Sequence, residues 1–267
     1  ITVAADTLRR NASEQESTSA AATGSKHVGK GTDSALDPGS RTGSSTRSFL
    51  DALHHSGGGS RDGIRIQKII GEDEEPRFVV YLDGTGSGEK SMSSVDDNIA
   101  VFGFGTDTQK KITELMRESG IDKNSDLMIV GYSQGGIHAQ NIAASGEFGN
   151  PLVITKGTPP STGVSPLTDI LRLEKRNDEI LLFANPLAAS QDLGSGFLDL
   201  IGRGENDVTM RSGSIIPRLN EGPTHTDREV YGQMADEFDR SSSAEYARIQ
   251  ERLRPFTNGR VVNDSDA

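Results

Sequence analysis

Asp126-Leu-Met-Ile-Val-Gly131-Tyr-Ser133-Gln-Gly135-Gly136 is the stretch whose reading decides the fold. An apolar run with the texture of a buried strand stops on the pattern Gly-x-Ser-x-Gly, and a small-residue segment from Ile137 to Ala144 follows it as a helix. Such a turn is a nucleophile elbow. It holds its central residue in a strained backbone conformation, and its glycines are needed because side chains there would collide with the neighbouring strand and helix. The expected product is a serine oxygen presented at the carboxyl edge of a sheet, with the Gln134 N–H turned to hold an oxyanion. The pentapeptide alone also arises by chance in a chain with 31 glycines. The strand pattern before it and the helix pattern behind it make the reading specific.

Working outward, Ile64–Ile70 alternates like a half-exposed strand, the Glu72 to Pro76 cluster turns the chain, and Arg77 to Leu82 reads as a buried strand. Ile112, Leu115 and Met116 share one face of an amphipathic helix that Gly120 ends. Leu152 to Thr155 and Ile170 to Leu173 supply two further strands, and the spacings Val230/Met234/Phe238 and Tyr246/Ile249/Leu253 predict two closing helices. Strands alternating with helices predict an α/β architecture of the α/β-hydrolase type, a mostly parallel sheet with helices on both faces. That domain is expected over 63–256. Residues 1–62, about a third Ser plus Gly, are expected to form a flexible linker, and 257–267 a flexible tail. Within the linker, Thr46 to His55 carries Phe49, Leu50 and Leu53 at helical spacing and could dock on the domain, with Gly57-Gly58-Gly59 isolating it.

Composition bounds the chemistry. Of 267 residues, 33% are hydrophobic, the formal net charge is −11, and there is no cysteine. An acidic chain without a basic stripe is unsuited to nucleic acid or an anionic membrane surface. The missing cysteines exclude disulfides, thiolate zinc sites and a cysteine nucleophile. Neither a charged-then-apolar leader nor an 18-residue apolar run is visible, so no signal peptide or integral membrane segment is expected, and the compartment is left open.

A serine nucleophile needs a base, and the chain holds five histidines, at 27, 54, 55, 138 and 225. Three lie in the expected linker, and His138 lies on the helix behind the elbow, where packing is its natural role. His225, in the polar stretch Glu221 to Asp227, is the expected base. The third member should be an acid after a late strand, between serine and histidine in the chain. Asp178, which follows Ile170 to Glu174 by a short polar turn, fits that order, with Asp207 as its rival.

The stretch Gly84-Thr-Gly-Ser-Gly-Glu-Lys90-Ser91 nearly spells a phosphate-cradling loop, but Glu89 stands where a glycine is required and would repel the phosphate. Nucleotide binding is set aside. The same glycines suit a loop that turns the N–H of Gly84 or Thr85 towards the serine to complete an oxyanion hole with Gln134.

The series Phe78 to Thr85, Met92-Ser-Ser, Gly131 to Gly136, Val153 to Pro159, Leu173 to Glu179, and His225 followed by Tyr231 resembles actinobacterial α/β-hydrolase domains of the serine esterase/lipase type. Asp83-Gly-Thr-Gly is similar to bacterial phospholipase effectors, and Gly-Tyr-Ser-Gln-Gly to cutinases, from which the absence of cysteine departs. The resemblance spans about 63–240. It implies Ser133 as nucleophile, His225 as base and Asp178 as orienting acid, although the proline usual after that aspartate is Glu179 here. The expected activity is hydrolysis of a carboxylic ester, of a lipid or small acyl type, with no cofactor and no metal. Between Asn185 and Pro223 a long Gly/Ser-rich insertion carries Phe197, Leu200 and Ile201 in one apolar turn, which is expected to act as a lid over an acyl chain.

Overall fold

The computed structural model describes residues 40–56, 63–84, 107–161, 168–175, 178, 206–212 and 227–266. Seven strands form one sheet: β1 (Ile64–Ile70), β2 (Pro76–Leu82), β3 (Asp126–Tyr132), β4 (Leu152–Lys156), β5 (Asp169–Lys175), β6 (Asp207–Ser212) and β7 (Arg260–Asp266). Their spatial order is β6-β5-β4-β3-β2-β1-β7. β2 to β6 are parallel neighbours, and β1 is antiparallel to both β2 and β7. Six strands therefore share one direction, and the carboxyl ends of β2 to β5 lie side by side along one rim. That rim is where an α/β sheet places its ligand site.

Alternation along the strands produces two cores. Val79, Tyr81, Met128, Val130, Tyr132, Leu152, Ile154, Leu171 and Leu173 face α1 (Thr46–Ser56), α4 (Arg228–Arg240) and α5 (Ala244–Leu253). The intervening Phe78, Val80, Leu82, Leu127, Ile129, Val153 and Ile170 face α2 (Asp107–Glu118) and α3 (Gln134–Ser145). Both faces of the central strands are thus sealed by helices, which explains their near-continuous apolar runs. A 3-10 turn, Arg254–Phe256, joins α5 to the segment leading into β7.

Three expectations change. The segment 40–56 is part of the domain rather than linker: Thr46, Phe49, Leu50 and Leu53, spaced as one helical stripe, are buried against the sheet. Thr46 also bonds Asp239 of α4 through its N–H (2.8 Å) and its hydroxyl (2.6 Å). The expected tail is an edge strand, because β7 pairs along β1 and Val261 enters the core. Its polar residues find partners there: Asp264 accepts from Arg65 (Nε at 2.8 Å, Nη2 at 2.5 Å) and from Gln67 (3.1 Å). Finally, the insertion between Asn185 and Pro223 contains β6, which burial of Val208 and Met210 fixes to the sheet. Phe197, Leu200, Ile201 and the rest of the proposed lid lie outside the described residues, as do 1–39, and no helix among the described residues is long and apolar enough to cross a membrane.

Candidate active site

Ser133 joins β3 to α3 with φ 53° and ψ −121°, a left-handed conformation that a residue with a Cβ adopts only at a cost of about 1–3 kcal/mol. A serine immediately before a helix would ordinarily cap it with its side chain. Ser133 makes no such bond, so its hydroxyl is not committed to the helix. The residue is pinned through its backbone instead: its N–H donates to the Lys156 carbonyl at 3.0 Å, and its own carbonyl accepts from Gly136 at 3.1 Å.

Close packing explains the glycines around it. A Cβ on Gly131 would come within 2.5 Å of the Gly136 Cα, and one on Gly135 within 2.1 Å of the Leu82 carbonyl oxygen. Both contacts are with backbone, which cannot swing aside, so the pattern is a requirement of the strand-to-helix crossing. Gly84, at the end of β2, approaches from the other side: a Cβ there would lie 3.1 Å from the Ser133 Cβ. Its N–H, however, donates to Asp83 Oδ1 at 2.8 Å. The oxyanion role expected of Gly84 therefore meets a competing acceptor. Gln134 occupies the first position of α3, where a backbone N–H has no intrahelical acceptor. Its side chain is 1% exposed, and neither amide atom has a hydrogen-bond partner.

Two strands across from the serine, Asp178 follows the end of β5 and is fully buried. Its N–H bonds the Lys175 carbonyl (3.0 Å), closing the short turn that the sequence placed there. Tyr231 of α4, itself buried, donates its hydroxyl to Asp178 Oδ2 at 2.6 Å. Burial raises the phenol's pKa well above its usual value, and the adjacent carboxylate adds to that, so Tyr231 is a permanent donor. The rival, Asp207, stands at the opposite, amino-terminal end of β6, where it accepts from Arg172 Nε at 2.9 Å. That pair is 0% and 1% exposed, and Arg172 also reaches Gln140 of α3 at 2.7 Å. Asp207 is a structural counter-ion remote from the rim. His138 is buried on α3, as expected of a packing residue.

His225 and Thr85 lie outside the described residues. The described chain resumes at Asp227, which caps α4 by accepting from the Val230 N–H (3.2 Å) and pairs with Lys175 Nζ (3.0 Å). The start of α4 is thereby tied to the end of β5, beside Asp178.

One residue of the rim escaped the sequence reading. Lys156, the last residue of β4, is 1% exposed, with its ammonium over the rings of Tyr132 (4.7 Å to the centroid) and Tyr231 (5.1 Å). Burial, assisted by the Arg228 charge, lowers its pKa from 10.5 to about 7, against the opposing pull of Asp83, Asp51 and Asp178. The signal available in the sequence was its place at the carboxyl end of the strand next to the elbow. Among the described residues no cluster of His, Cys, Asp or Glu could hold a metal ion. No family model, no curated protein and no solved structure matches this chain.

Proposed function

We propose that the chain is a serine hydrolase that cleaves carboxylic esters, with Ser133 as nucleophile, His225 as general base and Asp178 as the acid that orients it. The observation that carries this reading is the Ser133 backbone: a non-glycine residue held at φ 53° between a strand and a helix, not capping that helix. Strain of this kind persists only where the surroundings impose it, and it points the side chain off the sheet edge.

Support comes from the positions of the other two residues. Asp178 is a buried carboxylate on the same rim, held by a phenol that leaves its second oxygen in position to orient an imidazole. Two residues of chain span at most about 7 Å, so His225 is tethered close to Asp227 and hence to the end of β5. In the reaction, His225 takes the Ser133 proton as the oxygen attacks the acyl carbonyl, and the Gln134 N–H, with Thr85, receives the negative charge that develops on the carbonyl oxygen. His225 then protonates the leaving alcohol, and water deacylates the serine by the same steps in reverse. The lipid or acyl nature of the ester rests on the resemblance described for the sequence.

A fluorophosphonate probe tests this directly, because only an activated serine reacts with it. Wild type is expected to label on one residue, and Ser133→Ala to lose both labelling and esterase turnover, the latter by on the order of 10⁶-fold. Labelling that survives in Ser133→Ala overturns the assignment.

A further inference from the structure

We propose that Lys156 is a positioning residue of this centre: its ammonium, clamped between Tyr132 and Tyr231, sets the electrostatic environment of Asp178 and through it the basicity of the imidazole that Asp178 orients. The inference rests on the hydrolase reading above and adds a residue to it.

Three contacts place Lys156 at the junction of the catalytic parts. Its carbonyl oxygen accepts the Ser133 N–H at 3.0 Å and so holds the elbow. Its ammonium lies 5.1 Å from the Tyr231 ring, whose hydroxyl is bonded to Asp178 at 2.6 Å. It also lies 4.7 Å from the ring of Tyr132, the residue before the nucleophile and its register partner across β3 and β4. A lysine this deeply buried normally sits in a full ion pair. Here two aromatic faces bracket it, and carboxylates approach from three elements: Asp51 on α1, Asp83 at the end of β2 and Asp178 after β5, opposed by Arg228 on α4. Such a site holds the charge weakly, which agrees with a pKa lowered to about 7.

The direction of the effect follows from Coulomb's law. A cation near Asp178 offsets part of the carboxylate's field, so the imidazolium formed during attack is less stabilised and the base has a lower pKa. At an effective dielectric constant near 20, a unit charge about 10 Å away moves a partner's pKa by about one unit. With Lys156 charged, the base is free of its proton, and the serine reactive, about one unit lower in pH.

The test is the rate of fluorophosphonate labelling against pH for the full chain and for Lys156→Met, Lys156→Gln and Lys156→Arg. Both neutral variants should show an acidic limb about one pH unit higher than wild type, labelling about tenfold more slowly on that limb, and should converge with wild type above about pH 8, where the wild-type lysine has also lost its charge. Lys156→Arg should keep the wild-type limb. An unshifted limb in both neutral variants overturns the proposal, as does an equal loss at every pH, which marks a purely structural role. Failure of both neutral variants to fold overturns it in the same way. Wild type that does not label at any pH instead overturns the hydrolase reading itself.

Discussion

Removing α1 should unfold the domain, although the sequence alone assigns that helix to a linker. Phe49, Leu50 and Leu53 are 0%, 3% and 0% exposed, packed among Tyr231, Met234 and Phe238 of α4 and the Tyr81 and Val130 side chains of the sheet. Burying such a side chain contributes about 1.5–3 kcal/mol, so the three together contribute about 5–9 kcal/mol. Loss of the helix also exposes the surface it covers. The exposed Arg47 pairs with Glu229 and Asp236 add little to this. Since a domain is stable by only about 5–15 kcal/mol, a chain beginning at residue 63 should be unfolded or nearly so, whereas one beginning at residue 40 should match the full chain. The single substitution Phe49→Ala should cost about 3–5 kcal/mol. Urea unfolding followed by far-ultraviolet circular dichroism measures each, since the chain has no tryptophan to report by fluorescence. A 63–267 fragment with the full chain's midpoint, or a Phe49→Ala cost below about 1 kcal/mol, would refute the reasoning.

Relief of the elbow strain gives a second expectation: Ser133→Gly should be more stable than Ser133→Ala by about 1 kcal/mol in thermal melts, because glycine reaches positive φ without penalty. Breaking the buried Arg172–Asp207 pair with Asp207→Ala should cost about 3–5 kcal/mol, yet at a temperature where the variant is folded its fluorophosphonate labelling should persist, since Asp207 is remote from the rim. Tyr231→Phe removes a hydrogen bond to a buried carboxylate and should lower stability by about 1.5–3 kcal/mol along with the esterase rate. For Lys156 the folded pKa is depressed, so between about 7 and the unfolded value of 10.5 the unfolded chain binds the extra proton. Stability from this group is therefore present above 10.5, falls as pH drops to about 7, and Lys156→Met should flatten that slope in denaturation measured across the window.

The elbow was legible because its pattern is local: a strand, two obligatory glycines and a helix lie within twenty residues, and the crossing that requires them is decided by those residues alone. Asp178 was legible from its place after a strand and before the last histidine. What failed to show in the sequence depends on partners far along the chain. β7 reads as polar tail because only Val261 enters the core, while Asp264 is satisfied by Arg65 some two hundred positions away. β6 lies inside a Gly- and Ser-rich stretch, and its short apolar pattern gains meaning only beside β5. Lysine at a strand end ordinarily marks the water boundary; Lys156 is buried because α1 and α4, from the two ends of the chain, cover that rim.

The pairing of β1 with β7 sets a timetable for folding. β1 is among the first strands to be synthesised and β7 the last, and the bridge between Arg41 and Arg260 likewise joins opposite ends of the described chain. Until residue 260 is available, β1 stands as an open edge with unpaired backbone groups, and Arg65 and Gln67 lack Asp264, the acceptor they bind in the finished sheet. Closure therefore waits for a contact of very long sequence separation, which places this sheet among slowly folding topologies and makes an incomplete chain prone to pairing with its neighbours.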